Sequence, residues 1–275
     1  MAKETKYNMN HKKRGTALVI NIQKYDASNP FKLKERVWSV KDVVNLKKTL
    51  NYLEFEVILS LDSTKCQIEE VLQEQASLDH THSDCFFCVV MSHGNEDKIV
   101  TSDNKEISFE EIVRPIKSCK SLENKPKLFF LQACRGDNEM EIRRANSRPD
   151  SGVSTSAQQE TDFTLNNISD SNQLNRNKKT PIYTESDLLV YNATLPKHYA
   201  YGTVTDGTYF IESICEVLNE AFKNLPNNLS LSQMVTKVNK RVKERENEIQ
   251  LADPINRLTK EVYFTPKNVS FSEIQ

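Results

Sequence analysis

Three residues of this chain could form a hydrolytic site: a thiol, an imidazole, and a glycine beside the imidazole. Cys134 stands in KLFFLQACRGD (127–137), where an apolar, strand-like run ends in Gln132-Ala133-Cys134-Arg135-Gly136. His93 stands in Met91-Ser92-His93-Gly94, at the end of another apolar run, 41 residues earlier. Free cysteine commonly serves as a small buried hydrophobe, but open α/β sheets place their chemistry at the carboxyl ends of strands. A thiol attacks as the thiolate, and free Cys is only a few per cent ionised at neutral pH. An imidazole within hydrogen-bond reach can remove that proton and later hand it to a leaving amine. Cys134 is thus the candidate nucleophile and His93 the candidate general acid/base for amide hydrolysis.

Glycine usage supports the same locations. The chain of 275 residues holds six glycines, about a third of the usual share of roughly 7%. Glycine this scarce belongs where backbone geometry demands it. Gly94 and Gly136 flank the two candidate groups, and Gly202 and Gly207 share one later loop.

Composition excludes several classes. The formal charge is −1 with a pI near 6.5, and the charges are interleaved, so neither nucleic acid nor an anionic membrane is expected as a partner. No apolar leader opens the chain and no run approaches the roughly 18 apolar residues of a membrane span, so a cytoplasmic location is expected. Six cysteines in such a chain argue against a disulfide framework. Cys85 and Cys88 form a C-x-x-C, but in a strand they point to opposite faces, and no second pair at zinc spacing accompanies them. His80 and His82 lie in a polar connection. No metal or cofactor is expected.

The elements that must position the site follow from periodicity. TALVINI (16–22), FEVILSLD (55–62), CFFCVVMS (85–92) and PKLFFLQAC (126–134) read as strands. Residues 39–53, with Val40, Val43, Val44, Leu46, Leu50 and Leu53 near helical spacing and Ser39 as cap, read as a helix, as does 64–78. KIVTSDNKEIS (98–108) reads as a hairpin turning at Asp103-Asn104, and SFEEIVRPI (108–116) as a short helix. Later come the strand DLLVYNATL (187–195), the helices 208–222 and 230–247, and a last strand, RLTKEVYF (257–264). Strands alternating with helices, several of them apolar throughout, indicate an α/β fold with a largely parallel sheet covered on both faces. Four strands precede, and two follow, a polar stretch of low periodicity between Asp137 and Pro181. Connections of that length are uncommon in compact domains. Asp150, Asp162 and Asp170 within it suit proteolytic nicking.

The residues now assembled resemble the caspases. Gln132-Ala133-Cys134-Arg135-Gly136 is similar to the family's Q-A-C-[RQG]-G signature, with its histidine upstream, and IESICEVL (211–218) and LTKEVYF (258–264) resemble its small-subunit helix and closing strand. The resemblance, from about Thr16 to Phe264, implies a three-layer sandwich around a six-stranded, mostly parallel sheet. It implies a short N-terminal peptide (1–15), a large catalytic subunit (16–137), a flexible intersubunit linker (138–181), a small subunit (182–265) and a C-terminal tail (266–275). It further implies cleavage of proteins after aspartate, an oxyanion site formed by the Gly94 and Cys134 amides, and maturation by a linker cut. Asp150 is favoured for that cut, with Asp162 and Asp170 secondary. The expected partners are protein substrates with Asp at P1, a second copy or another caspase as dimer partner through Glu261–Phe264, and inhibitor-of-apoptosis proteins. The short leader implies an executioner-like position.

The resemblance fails at one place. The family holds the substrate aspartate with two arginines and a glutamine. Arg36 and Gln132 occupy two of those positions, and Tyr199 and Tyr201 match the aromatic walls. The second arginine is replaced by Gly202, and the neighbouring serine by Ala200. Losing one partner of a buried charge pair costs about 3–5 kcal/mol, on the order of a hundred- to several-thousand-fold in specificity constant. Lys197 or His198 could substitute as the cation. Two expectations follow: an active caspase with an altered pocket, or a catalytically weak relative acting as decoy or regulator by pairing with an active caspase.

Overall fold

The computed structural model describes residues 5–136, 160–161, 186–203, 205–223, 228–245 and 250–267. In chain order the elements are β1 (Thr16–Asn21), α1 (Ser39–Tyr52), β2 (Glu56–Leu61), α2 (Lys65–Ser77) and β3 (Phe86–Met91). A small three-stranded sheet follows, made of β4 (Gly94–Asn95), β5 (Lys98–Val100) and β6 (Glu106–Ser108). Then come α3 (Phe109–Lys117), β7 (Lys127–Gln132), β8 (Glu160–Thr161), β9 (Leu188–Asn192), β10 (Tyr201–Thr203) and β11 (Gly207–Thr208). The last elements are α4 (Tyr209–Lys223), α5 (Leu231–Glu244) and β12 (Asp253–Asn256).

The main sheet runs β12-β9-β7-β3-β1-β2, parallel except for β12. Every residue of β1, β3, β7 and β9 is buried, as continuous apolar runs require when both faces are covered. Alternation splits their side chains between two cores. Val19, Phe87, Val89, Leu128, Phe130 and Tyr191 pack in one, together with Leu46 and Leu50 of α1 and residues of α4 and α5. Leu18, Ile20, Phe86, Val90, Phe129 and Leu131 pack in the other with α2 and α3. Cys85 falls in the first core and Cys88 in the second, both fully buried, and burial pushes the Cys85 thiol up to about 12. Local signals set the helix starts: Thr64, Ser108 and Ser230 each cap a helix in a reciprocal capping box.

Several expectations are corrected. Ser39 is not the cap of α1: Trp38 holds that position, and the Ser39 hydroxyl accepts from Asn21 Nδ2. Val40 and Val44 are 51% and 58% exposed, while Asp42 and Thr49 are buried. The polar pair faces inward because each has a partner: Asp42 accepts from Thr208, and Thr49 Oγ1 accepts from Asn219 Nδ2. Tertiary hydrogen bonds thus override the apolar period. The sixth strand is β12, not residues 257–264. Arg257 closes the β9 pairing by exchanging backbone bonds with Asp187 and Leu188, after which Glu261 pairs its backbone with Thr5 and Tyr7. Below the opposite end of the strands, fully buried Arg14 donates to fully buried Asp84 at 2.8 Å, and Lys267 also bonds Asp84. That cluster ties the N-terminal segment, β3 and residues 265–267 together.

Candidate active site

β3 and β7 are adjacent and parallel, in the register Met91↔Gln132. The residues that follow them, His93 and Cys134, therefore leave the sheet side by side at its carboxyl edge. Ser92 N–H donates to Gln132 C=O at 3.1 Å, carrying the pairing past the strand ends. Gly94 sits where the two segments touch. A Cβ there would lie 2.6 Å from Lys98 O, 3.0 Å from Ala133 Cβ and 3.3 Å from Cys134 O, so only glycine allows this approach.

The imidazole is oriented by main chain. His93 Nε2 lies 2.8 Å from the Lys34 carbonyl, which can only accept, so Nε2 carries the proton. In the neutral ring Nδ1 is then the basic nitrogen. The His93 N–H donates to the Tyr25 hydroxyl, and the two rings lie 5.3 Å apart. Cys134 is buried, with its sulfur facing Ala200: the Ala200 N–H donates to Sγ at 3.3 Å, and the thiol reaches Ala200 O at 3.8 Å. Arg135 locks the turn behind it. Its guanidinium bonds Glu96 O, Thr194 O and Asp253, while its backbone pairs with Lys197 and His198.

Arg36 is fully buried and donates from one guanidinium nitrogen to Asn21 Oδ1 at 3.2 Å and Ile22 O at 3.0 Å. Asn21 and Gln132 each pair with Met91 across β1, β3 and β7, so the arginine is anchored on the row that carries the glutamine. The Tyr199 and Tyr201 rings meet edge-on at 6.2 Å, and the Tyr201 N–H donates to Gln250 Oε1. Gly202 pairs with Thr208, and a Cβ on it would lie 2.7 Å from Gly207 O and 2.8 Å from Thr208 Cα. Its place is filled by the neighbouring strand rather than left as an arginine-shaped gap. Lys197 is exposed and held in the left-handed region, and His198 Nδ1 lies 2.8 Å from Pro196 O. Asp150, Asp162 and Asp170 lie outside the described residues.

Tyr25, Lys34, Asn21, Asp42, Thr208 and Gln250 escaped sequence reasoning. A carbonyl acceptor can come from any residue, so Lys34 carried no signal. Asp42 carried one: an acidic residue where α1 should face the core.

A caspase-domain family model matches residues 14–263. Caspase-8 of Rattus norvegicus is 33% identical over 271 residues, 94% of this chain and 53% of that protein. Caspase-7 of Gallus gallus is 30% identical, over 94% of this chain and 79% of that protein. The crystal structure of caspase-1 from Spodoptera frugiperda superposes with a TM-score of 0.74 at 24% identity, covering 97% of this chain and 98% of that one, a likeness of fold. The chain spans about half the length of the caspase-8 relatives it matches. Because the domain match runs from the residues before β1 to those after β12, and identity holds at 30% across most of the caspase-7 relative, this chain belongs to the caspase family.

Proposed function

We propose that this chain is a cysteine endopeptidase that cuts proteins after aspartate, in apoptosis or related proteolytic signalling. The carrying observation is the Lys34 carbonyl at 2.8 Å from His93 Nε2, which leaves Nδ1 as the base on a histidine that emerges beside Cys134. In this reading Cys134 Sγ, deprotonated by His93, adds to the substrate carbonyl. The Gly94 and Cys134 amides hold the oxyanion, and His93 returns the proton to the leaving nitrogen. Arg36 and Gln132 hold the substrate carboxylate, with Tyr199 and Tyr201 as walls. Dimerisation and inhibitor-of-apoptosis proteins as partners extend the same reading.

The crowding at Gly202 favours a second reading, a weak relative that regulates an active caspase by pairing with it. Purified protein assayed on a peptide with Asp at P1, beside Cys134→Ala and His93→Ala, separates the two. Turnover that both substitutions abolish supports the protease. No turnover, combined with altered activity of an added active caspase, supports the regulator.

A further inference from the structure

We propose that the chain's own linker is its first substrate, held within the same molecule on β10, so that the bond cut is the one after Asp162. The proposal rests on the protease reading above. Its observation is a backbone pairing: β8 runs antiparallel to β10, with Thr161 opposite Tyr201 and Glu160 opposite Gly202. The other edge of β10 is taken by β11. Glu160–Thr161 is thus a third strand on the hairpin that forms one wall of the site, the way an extended peptide docks on a sheet edge through its main chain.

Register selects the bond. Along antiparallel strands, one step forward on one is one step back on the other. The residue before Tyr201 is Ala200, and the residue after Thr161 is Asp162. Ala200 is the residue whose N–H and C=O stand 3.3 and 3.8 Å from Cys134 Sγ. The ladder therefore leads the linker toward the sulfur at an aspartate, the side chain the protease reading requires. Asp150 and Asp170 are out of this register, and bringing either to Ala200 would first unpair β8.

The chemistry balances. Cys134 Sγ, having lost its proton to His93, bonds to the carbonyl carbon of Asp162. The bond from that carbon to the Phe163 nitrogen breaks as His93 protonates the nitrogen. Water then attacks the thioester and gives a proton to His93, the carbon–sulfur bond breaks, and the proton returns to sulfur. One water is consumed, leaving a carboxyl group at Asp162 and an amino terminus at Phe163. Until the cut, the edge of β10 is occupied, so a foreign peptide competes with the linker.

The test follows the purified full chain by intact mass. The expected result is a cut between residues 162 and 163, with a half-time unchanged over roughly 100-fold dilution, as an intramolecular step demands. Asp162→Ala slows it by roughly 100-fold or more, whereas Asp150→Ala and Asp170→Ala are cut as the parent is. A first cut at residue 150 or 170, or a half-time that shortens in proportion to concentration, overturns the proposal. An uncut parent that still turns over an Asp-P1 peptide overturns it and leaves the protease reading standing. An uncut parent with no peptide turnover removes both. Amide exchange in the inert Cys134→Ala chain gives a further check independent of catalysis: residues 160–161 exchanging as fast as an unpaired peptide also overturns the docking.

Discussion

Replacing Gly202 with arginine is the obvious way to make this chain match its family, and the geometry predicts that it fails. A Cβ at position 202 would meet Gly207 O at 2.7 Å and Thr208 Cα at 2.8 Å, where ordinary contact begins near 3.4 Å. The two strands must therefore separate by about 0.6–0.7 Å before the rest of the side chain is considered. Both neighbours are main chain, so no rotamer change relieves them. Thr208 cannot simply retreat, because its N–H and hydroxyl donate to the buried Asp42 carboxylate at 2.9 and 3.0 Å. Overpacking of this kind costs about 1–3 kcal/mol, which at about 2–4 °C per kcal/mol for a chain of this size lowers Tm by roughly 2–12 °C. Gly202→Ala carries the same Cβ without the charge, and so isolates the steric part. The assay is a thermal melt of parent, Gly202→Ala and Gly202→Arg, each paired with kcat/KM on an Asp-P1 peptide. Gly202→Arg with an unchanged Tm and raised kcat/KM would refute the reasoning, because the position would then be an open pocket. Loss of Tm in both variants, with no gain from arginine, is the expected result.

Asp42→Ala strips acceptors from the buried Thr208 N–H and hydroxyl, at about 1–3 kcal/mol for each orphaned group. KM for an Asp-P1 peptide rises more than kcat falls, and Asp42→Asn, which can accept the N–H and donate to the hydroxyl, restores KM; equal losses in Ala and Asn variants would count against this positioning role. Asp84→Ala leaves the Arg14 guanidinium buried without its carboxylate, at about 3–5 kcal/mol, and urea denaturation should show Asp84→Ala combined with Arg14→Met to be more stable than Asp84→Ala alone.

The nucleophile and its base were legible because both sit at the ends of apolar runs, and apolar runs read directly as buried strands. The capped helices were legible for an equally local reason, since Thr64, Ser108 and Ser230 each bond an amide three residues on. Where the reading failed, distant partners decided. Val40 and Val44 fit a helical period, yet α1 turns Asp42 and Thr49 inward to meet residues 208 and 219, far along the chain. The edge strand was misplaced because Asp253-Pro254-Ile255-Asn256 has little strand propensity. Pairing with Asn192, Tyr191, Val190 and Leu189 makes it a strand, and proline is tolerated there because an edge strand keeps one side unpaired. Gly202 looked like a loss when set against a family pattern; only the position of Gly207 and Thr208 shows why no side chain fits.

This division has a consequence for how the site could diverge. Cys134, His93 and Gln132 follow or end strands whose every residue is buried between two cores, so moving them means repacking both. The wall opposite is a hairpin of a few residues, held by Asp42 from one side and Gln250 from the other. A substitution there costs only local hydrogen bonds. The chemistry of the chain is therefore fixed by its sheet, while its choice of substrate is set where β10 meets β11. The same edge of β10 that would receive a foreign peptide is the one paired with Glu160–Thr161. Altering the hairpin must then change recognition of the linker and of other proteins together, so a variant cannot lose one while keeping the other unchanged.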